Sequence, residues 1–139
     1  MRWRAAQEAG RELGLRVRRL GPFAPTIDGG RAAARAFAEA RTTAVVAYND
    51  LIAIGFMQTV QSWGVAVPGD VSVVGFDDIF GSDFTCPPLT TIRVPATHLG
   101  ELAVRRLLSI IEGTEPPSDD DAPATSLIVR ESTGRPRSR

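Results

Sequence analysis

Apolar positions along this chain recur with distinct periods, and each period predicts an element. Trp3, Ala6, Ala9 and Leu13 return every three or four residues, which marks a first helix stopped by Gly14. Leu15 to Leu20 alternates loosely as a short strand, spoiled only by Arg19. Gly21 to Gly30 is rich in Pro and Gly and predicts a loop. Asp28 is placed to cap a helix from about Gly30 to Arg41, with Phe37 and several alanines turned inward. Ala44 to Tyr48 follows as an unbroken run of β-formers, the pattern of a strand covered on both faces.

From Leu51 onward Ile52, Ile54, Phe56, Met57, Val60 and Trp63 occupy most of a helical circumference, with Asn49 or Asp50 as cap and Gly64 as stop. A helix apolar nearly all round packs on more than one side. Pro68-Gly69-Asp70 is a turn and Val71 to Phe76 a strand. The order β-α-β-α-β across residues 15 to 76 therefore predicts a parallel, doubly wound α/β sheet with right-handed crossovers. Leu89 to Val94 is extended up to Pro95. Thr97 to Glu112 then carries Leu99, Leu102, Ala103, Leu107, Ile110 and Ile111 as a broad stripe that needs a partner surface, and Gly113 ends it. Thr114 to Ala124, with the acidic run Asp119 to Asp121, is a solvated connector. Ser126 to Val129 returns as a strand, and Ser132 to Arg139 is a basic, disordered tail.

Composition narrows the partners. The 139 residues suit one domain. Sixteen basic residues, all Arg, balance sixteen acidic ones, so no global field favours nucleic acid or an anionic surface. A single cysteine, Cys86, excludes an internal disulfide. No apolar run approaches the roughly 20 residues that span a bilayer, and the opening residues are charged where a secretory signal would be apolar. Together these predict a cytoplasmic protein without membrane contact.

Candidate chemistry sits where the two apolar strands stop. Asn49 follows one and Asp77 ends the other, and in open parallel sheets ligands bind beyond the carboxyl ends of the strands. Asp77 and Asp78 do not form a catalytic or metal pair, because neighbours at a strand end point apart and no His is near in sequence. The expectation is therefore a binding protein rather than an enzyme, with Asp78 structural and no metal or cofactor. His98 in a helical first turn is an exposed or capping residue. Cys86, without a nearby His or second thiol, is a passive thiol.

Four ordered motifs then carry a family resemblance. Val46-Ala-Tyr-Asn-Asp50, Val67-Pro-Gly-Asp-Val-Ser-Val-Val-Gly-Phe-Asp-Asp78, Pro87-Pro-Leu-Thr-Thr-Ile92 and Leu127-Ile-Val-Arg-Glu-Ser-Thr133 resemble the effector-binding domain of LacI/GalR transcription regulators. The resemblance implies one lobe of a periplasmic-binding-protein-like fold, which closes with another lobe on a sugar or nucleoside-like metabolite. It implies ligand contacts from Arg2, Phe23, Asn49 and Asp77. Two positions depart from the pattern: Ala5 replaces a usual Gly, and Val94 stands where relatives often carry a ligand-binding Gln.

The same resemblance implies a homodimer with Ile54 and Phe84 in the subunit interface, ordinary core positions being the alternative. It implies that the N-terminal lobe and the helix-turn-helix are absent here, so that operator DNA is read only through that absent unit. Residues 1 to 133 are then a partial sensor domain, 97 to 112 a crossover helix packed on the missing lobe, and 134 to 139 a disordered tail. Half a clamp is expected to bind effector weakly or not at all. The competing possibilities are a lobe of a periplasmic-type solute-binding protein and a gene fragment without a function of its own.

Overall fold

The computed structural model describes residues 2–40, 42–118 and 123–135. Its elements are α1 (Arg2–Glu12), α2 (Ile27–Ala38), β1 (Ala44–Val46), α3 (Asp50–Ser62), β2 (Ser72–Asp77), β3 (Thr90–Arg93), α4 (Ala96–Glu112) and β4 (Ser126–Ile128). The four strands lie in the order β1-β2-β3-β4. The first three run parallel, with Val45 opposite Val73 and Gly75 opposite Thr91. β4 joins the edge antiparallel, placing Leu127 opposite Ile92.

The core forms between this sheet and α3. Ile52, Ala53, Phe56, Met57 and Val60 of α3 are buried against Val71, Val73 and Leu89, with Ala33 and Ala34 of α2 closing the far side. Each large aliphatic or aromatic side chain so buried contributes about 1.5 to 3 kcal/mol. Phe37 meets Phe56 edge to face, with ring centroids 5.1 Å apart. The two helices approach backbone to backbone at Gly55, where a Cβ would collide with the carbonyl oxygen of Ile27. This is why α3 is apolar on more than one side: one stripe faces the sheet and another faces α2.

Caps explain where the helices begin. Asn49 has extended backbone and its Oδ1 accepts the Ile52 N–H at 2.9 Å, so Asn49 is the cap of α3 and Asp50 its first residue. α2 begins at Ile27, earlier than the Asp28 cap predicts. Thr26, with φ −134° and ψ 168°, is the cap, and its hydroxyl accepts from Gly29 N at 3.1 Å. Asp28 instead sits within the first turn and pairs with Arg31 at 2.8 Å. Both side chains suit a cap, and the one whose backbone is still extended takes the role.

The expected strand over Leu15 to Leu20 does not form. The segment folds back along α1, where Leu15 N donates to Gly10 O at 2.7 Å and Val17 packs over Gly10. A strand is stable only with a neighbour, and among the described residues none pairs with this segment. β1 is an edge strand, and contrary to the expected cover on both faces Ala44 and Val46 are exposed, Val46 at 72%.

The chain end differs in the other direction. Ser132 is fully buried: its hydroxyl donates to Val73 O at 2.6 Å and accepts from Thr90 N at 2.8 Å. Gly134 N donates to Ser72 Oγ at 3.1 Å. Residues 132 to 134 are thus stitched between β2 and β3 rather than forming the start of a tail. Residues 136 to 139, and the Asp119 to Asp121 run, lie outside the described residues. α4 keeps the stripe that its sequence predicts, and Val104, Leu107, Ile110 and Ile111 on it are exposed.

Candidate functional site

Three side chains meet at the carboxyl ends of β1 and β2. The guanidinium of Arg2 lies 4.2 Å from the Tyr48 ring centre and 4.3 Å from that of Phe76. Its Nη1 donates to Tyr48 O at 2.7 Å. Helix α1 therefore begins at the strand ends, and cation–π attraction to two rings holds its first residue in place. Asp77, the last residue of β2, is exposed and feels the positive charge of Arg2. Burial and the neighbouring charge of Asp50 push its carboxyl above the usual 3.8, with Arg2 acting in the opposite sense.

Asn49 is tied on both sides of its amide. Besides capping α3, its Nδ2 donates to Pro25 O at 3.2 Å, which draws the 21–25 loop to the end of β1. An amide has two lone pairs and two N–H groups, so one of each remains for a ligand. Phe23, on the same loop, is half-buried and packs against the hydrophobic core. Arg2, Asn49 and Asp77 thus share the strand-end region, while Phe23 serves the core as well.

The strongest polar node is one that sequence reasoning treats only as a possible cap. Asp50 is 0% exposed. Its Oδ2 accepts from Ile79 N at 3.0 Å and from Ser82 Oγ at 2.6 Å, and its Oδ1 accepts from Thr91 Oγ1 at 2.6 Å. Gly75 makes room for it, because a Cβ there would strike Oδ1. One sequence signal was available: a glycine inside a strand marks a close approach.

The turn after β2 is the other feature invisible in sequence. Asp77 and Asp78 both have positive φ, 108° and 55°. Such conformations cost non-glycine residues about 1 to 3 kcal/mol each and persist only where surroundings enforce them. Asp78 supplies part of that enforcement. Its side chain is 7% exposed and is gripped by Arg93 Nε at 2.6 Å and Arg130 Nη2 at 2.7 Å. Arg130 also donates to Leu89 O at 2.7 Å, so the chain end braces the turn.

Burial pushes the Asp78 carboxyl upward, but the hydrogen bonds from Arg130 and Arg93 prevail and hold it below 3.8. Folded Asp78 therefore holds a proton less tightly than unfolded Asp78. Its stabilising contribution is complete above 3.8 and is lost as pH falls from there through the lower, folded value. Asp77 acts in the opposite sense above 3.8, since its folded value is raised. Urea unfolding over that acid range is expected to show the Asp78→Asn variant losing less stability on acidification than the parent. Equal pH slopes would contradict the assignment.

An open recess of about 550 Å³ adjoins these groups, lined by Asp77, Arg93, Val94, Pro95, Thr97 and His98 among others. A second, of about 440 Å³, lies between α3 and the 79–88 loop, with Ile54, Met57, Gln61, Phe84 and Cys86 in its wall. Phe80 and Phe84 stack edge to face at 5.0 Å beside it, and both are exposed. Ile54 is half-buried against the core, whereas Phe84 is no core residue. Among the described residues no group of three or more His, Cys, Asp or Glu could hold a metal ion. No helix among them is long and apolar enough to cross a membrane.

Comparison with known proteins gives the family. A family model described as the periplasmic binding protein-like domain matches residues 1–133. The lactose operon repressor of Rhizobium radiobacter is 40% identical over 98 residues, spanning 70% of this chain and 86% of that one. The chain belongs to the LacI/GalR family. The HTH-type transcriptional regulator MalR of Streptomyces coelicolor is 46% identical over 108 residues, 78% of this chain and 31% of MalR. The crystal structure of a LacI family regulator from Arthrobacter sp. FB24, in complex with lactose, superposes with a TM-score of 0.77 at 30% identity. It covers 94% of this chain and 50% of that one. This LacI/GalR chain thus spans about a third of MalR and half of the Arthrobacter chain, and the part it spans is the periplasmic-binding-like sensor domain.

Proposed function

We propose that this chain is one lobe of the effector sensor of a LacI-type transcriptional regulator, and that a sugar or similar metabolite binds at the carboxyl ends of β1 and β2. The observation that carries the reading is the Arg2 guanidinium, held between Tyr48 and Phe76 with Asp77 within its field. A planar donor, a carboxylate and the spare capacity of the Asn49 amide are what vicinal hydroxyls require. The ring of Phe23 supplies an apolar surface on the same side. The lactose held by the Arthrobacter relative supports a sugar.

In the whole regulator, ligand binding between two lobes shifts their closure and with it the affinity for an operator. DNA is read by a helix-turn-helix outside these residues, and no chemical step is catalysed. The exposed Phe84, with Ile54 behind it, is the contact with a second subunit. The protein works in the cytoplasm, where its operator lies.

Amide NMR of this chain titrated with lactose, a monosaccharide panel and nucleosides tests the reading. One of these ligands is expected to shift Tyr48, Asn49 and Asp77 with millimolar affinity, half a clamp being a poor one. Asp77→Asn is expected to weaken that binding about 10- to 100-fold, the worth of a hydrogen bond to a charged group. Shifts confined to other parts of the molecule would overturn the site, and micromolar affinity would overturn the half-clamp.

A further inference from the structure

Asp50 ties the Asp77 turn at the strand-end site to the exposed aromatic pair that begins three residues further along the chain. It follows Asn49 directly, so it is fixed to the residue that caps α3. From there its Oδ2 accepts the N–H of Ile79, the first residue after the positive-φ turn of Asp77 and Asp78. The same oxygen accepts the hydroxyl of Ser82, which lies between Phe80 and Phe84 in sequence. Ser82 in turn organises its loop, since its carbonyl accepts from Leu89 N at 2.8 Å and from Thr85 Oγ1 at 3.2 Å. Thr91 on β3 fixes the second oxygen, and Gly75 leaves it only one place to be. A buried carboxylate with two bonds to the 79–82 segment and one to β3 moves as one piece with both.

We propose that Asp50 is a positioning residue that sets the orientation of Asp77 and couples it to the Phe80–Phe84 surface. A displacement of the Asp77 turn pulls on Ile79 N, and through the shared Oδ2 on Ser82 and the aromatic loop. The ligand-facing role of Asp77 is taken from the proposed function. The coupling itself concerns only the geometry around one carboxylate. That gives it a test without a ligand.

The test is NMR on the 139-residue chain. Asp50→Asn keeps the shape of the side chain and removes its charge. The other charged or titratable groups around the turn remain: Arg2 beside Asp77, Arg93 and Arg130 on Asp78, and His98 in the wall of the recess. The midpoint of the Asp77 carboxyl titration is expected to fall in this variant, because a neighbouring negative charge is gone. The Ile79 amide and the Phe84 ring signals are expected to shift together. Loss of the charge by itself lowers the Asp77 midpoint without moving the Phe84 ring signals, so it is the Phe84 shift that separates coupling from a local electrostatic effect.

Should Asp50→Asn not fold, Ser82→Ala and Thr91→Val carry the test. Each removes one donor while leaving the carboxylate, and each is expected to move the Ile79 and Asp77 amides, with Ser62→Ala on the outer end of α3 as the silent control. A folded Asp50→Asn with unchanged Phe84 signals overturns the proposal, whatever the Asp77 midpoint does. So do Ser82→Ala and Thr91→Val if both leave Ile79 where it was. Because no sugar is present, these failures leave the sensor assignment standing, and failure of the sugar titration leaves the coupling standing.

Discussion

Replacing Asp50 with Ala is expected to lower the free energy of unfolding by about 3 to 5 kcal/mol, a large part of the 5 to 15 kcal/mol typical of a domain. The carboxylate is 0% exposed, and its removal leaves the Ile79 N–H and the hydroxyls of Ser82 and Thr91 facing a void. A buried donor without a partner costs about 1 to 3 kcal/mol. Water cannot easily replace the lost oxygens, because Gly75 and Leu89 close the space from the sheet side. Urea unfolding followed by circular dichroism measures the change. A loss below about 1 kcal/mol, the scale of an ordinary surface change, would show that Asp50 is not the node its bonds describe.

Phe56→Ala is expected to cost a similar amount, about 3 to 5 kcal/mol, through a different mechanism. Phe56 is 1% exposed and lies where α3 meets both the sheet and α2, with the Phe37 ring set edge-on to it. Truncation removes its burial and opens a cavity that rigid neighbours cannot fill. The helices already touch backbone to backbone at Gly55, so they have no freedom to close the gap. Denaturant unfolding should show a lower midpoint with an unchanged slope, since the surface exposed on unfolding is nearly the same. An unaffected midpoint would mean that α3 is held by something other than this core. The strand-end site would suffer with it, because α3 starts at Asn49.

Much of the site could be read before any fold was known. The stop from Val46 to Asn49 and from Phe76 to Asp77 marks strand tips, and the structure sets β1 and β2 side by side and parallel, as that pattern demands. Tyr48 and Phe76 were less visible. Both look like ordinary strand aromatics, and only the start of α1 at Arg2 turns them into two faces of a cation clamp. Arg130 lay outside every candidate set, because its partner Asp78 is 52 residues away in the chain. Ser132 failed for the same reason: in sequence it opens a polar, basic end, and its value comes from Val73 and Thr90 far upstream.

Local sequence determined the β1-α3-β2 unit, the long amphipathic α4 and the two polar tips. Period, caps and turn residues act over four to seven neighbours and need no distant partner. Tertiary structure alone decided that Leu15 to Leu20 remains unpaired and that the left-handed turn at Asp77 and Asp78 is braced by Asp50, Arg93 and Arg130. Each of those outcomes depends on which groups the folded chain brings within hydrogen-bonding reach. A strand without a neighbour or a carboxylate without its donors has no stability of its own to announce in the sequence.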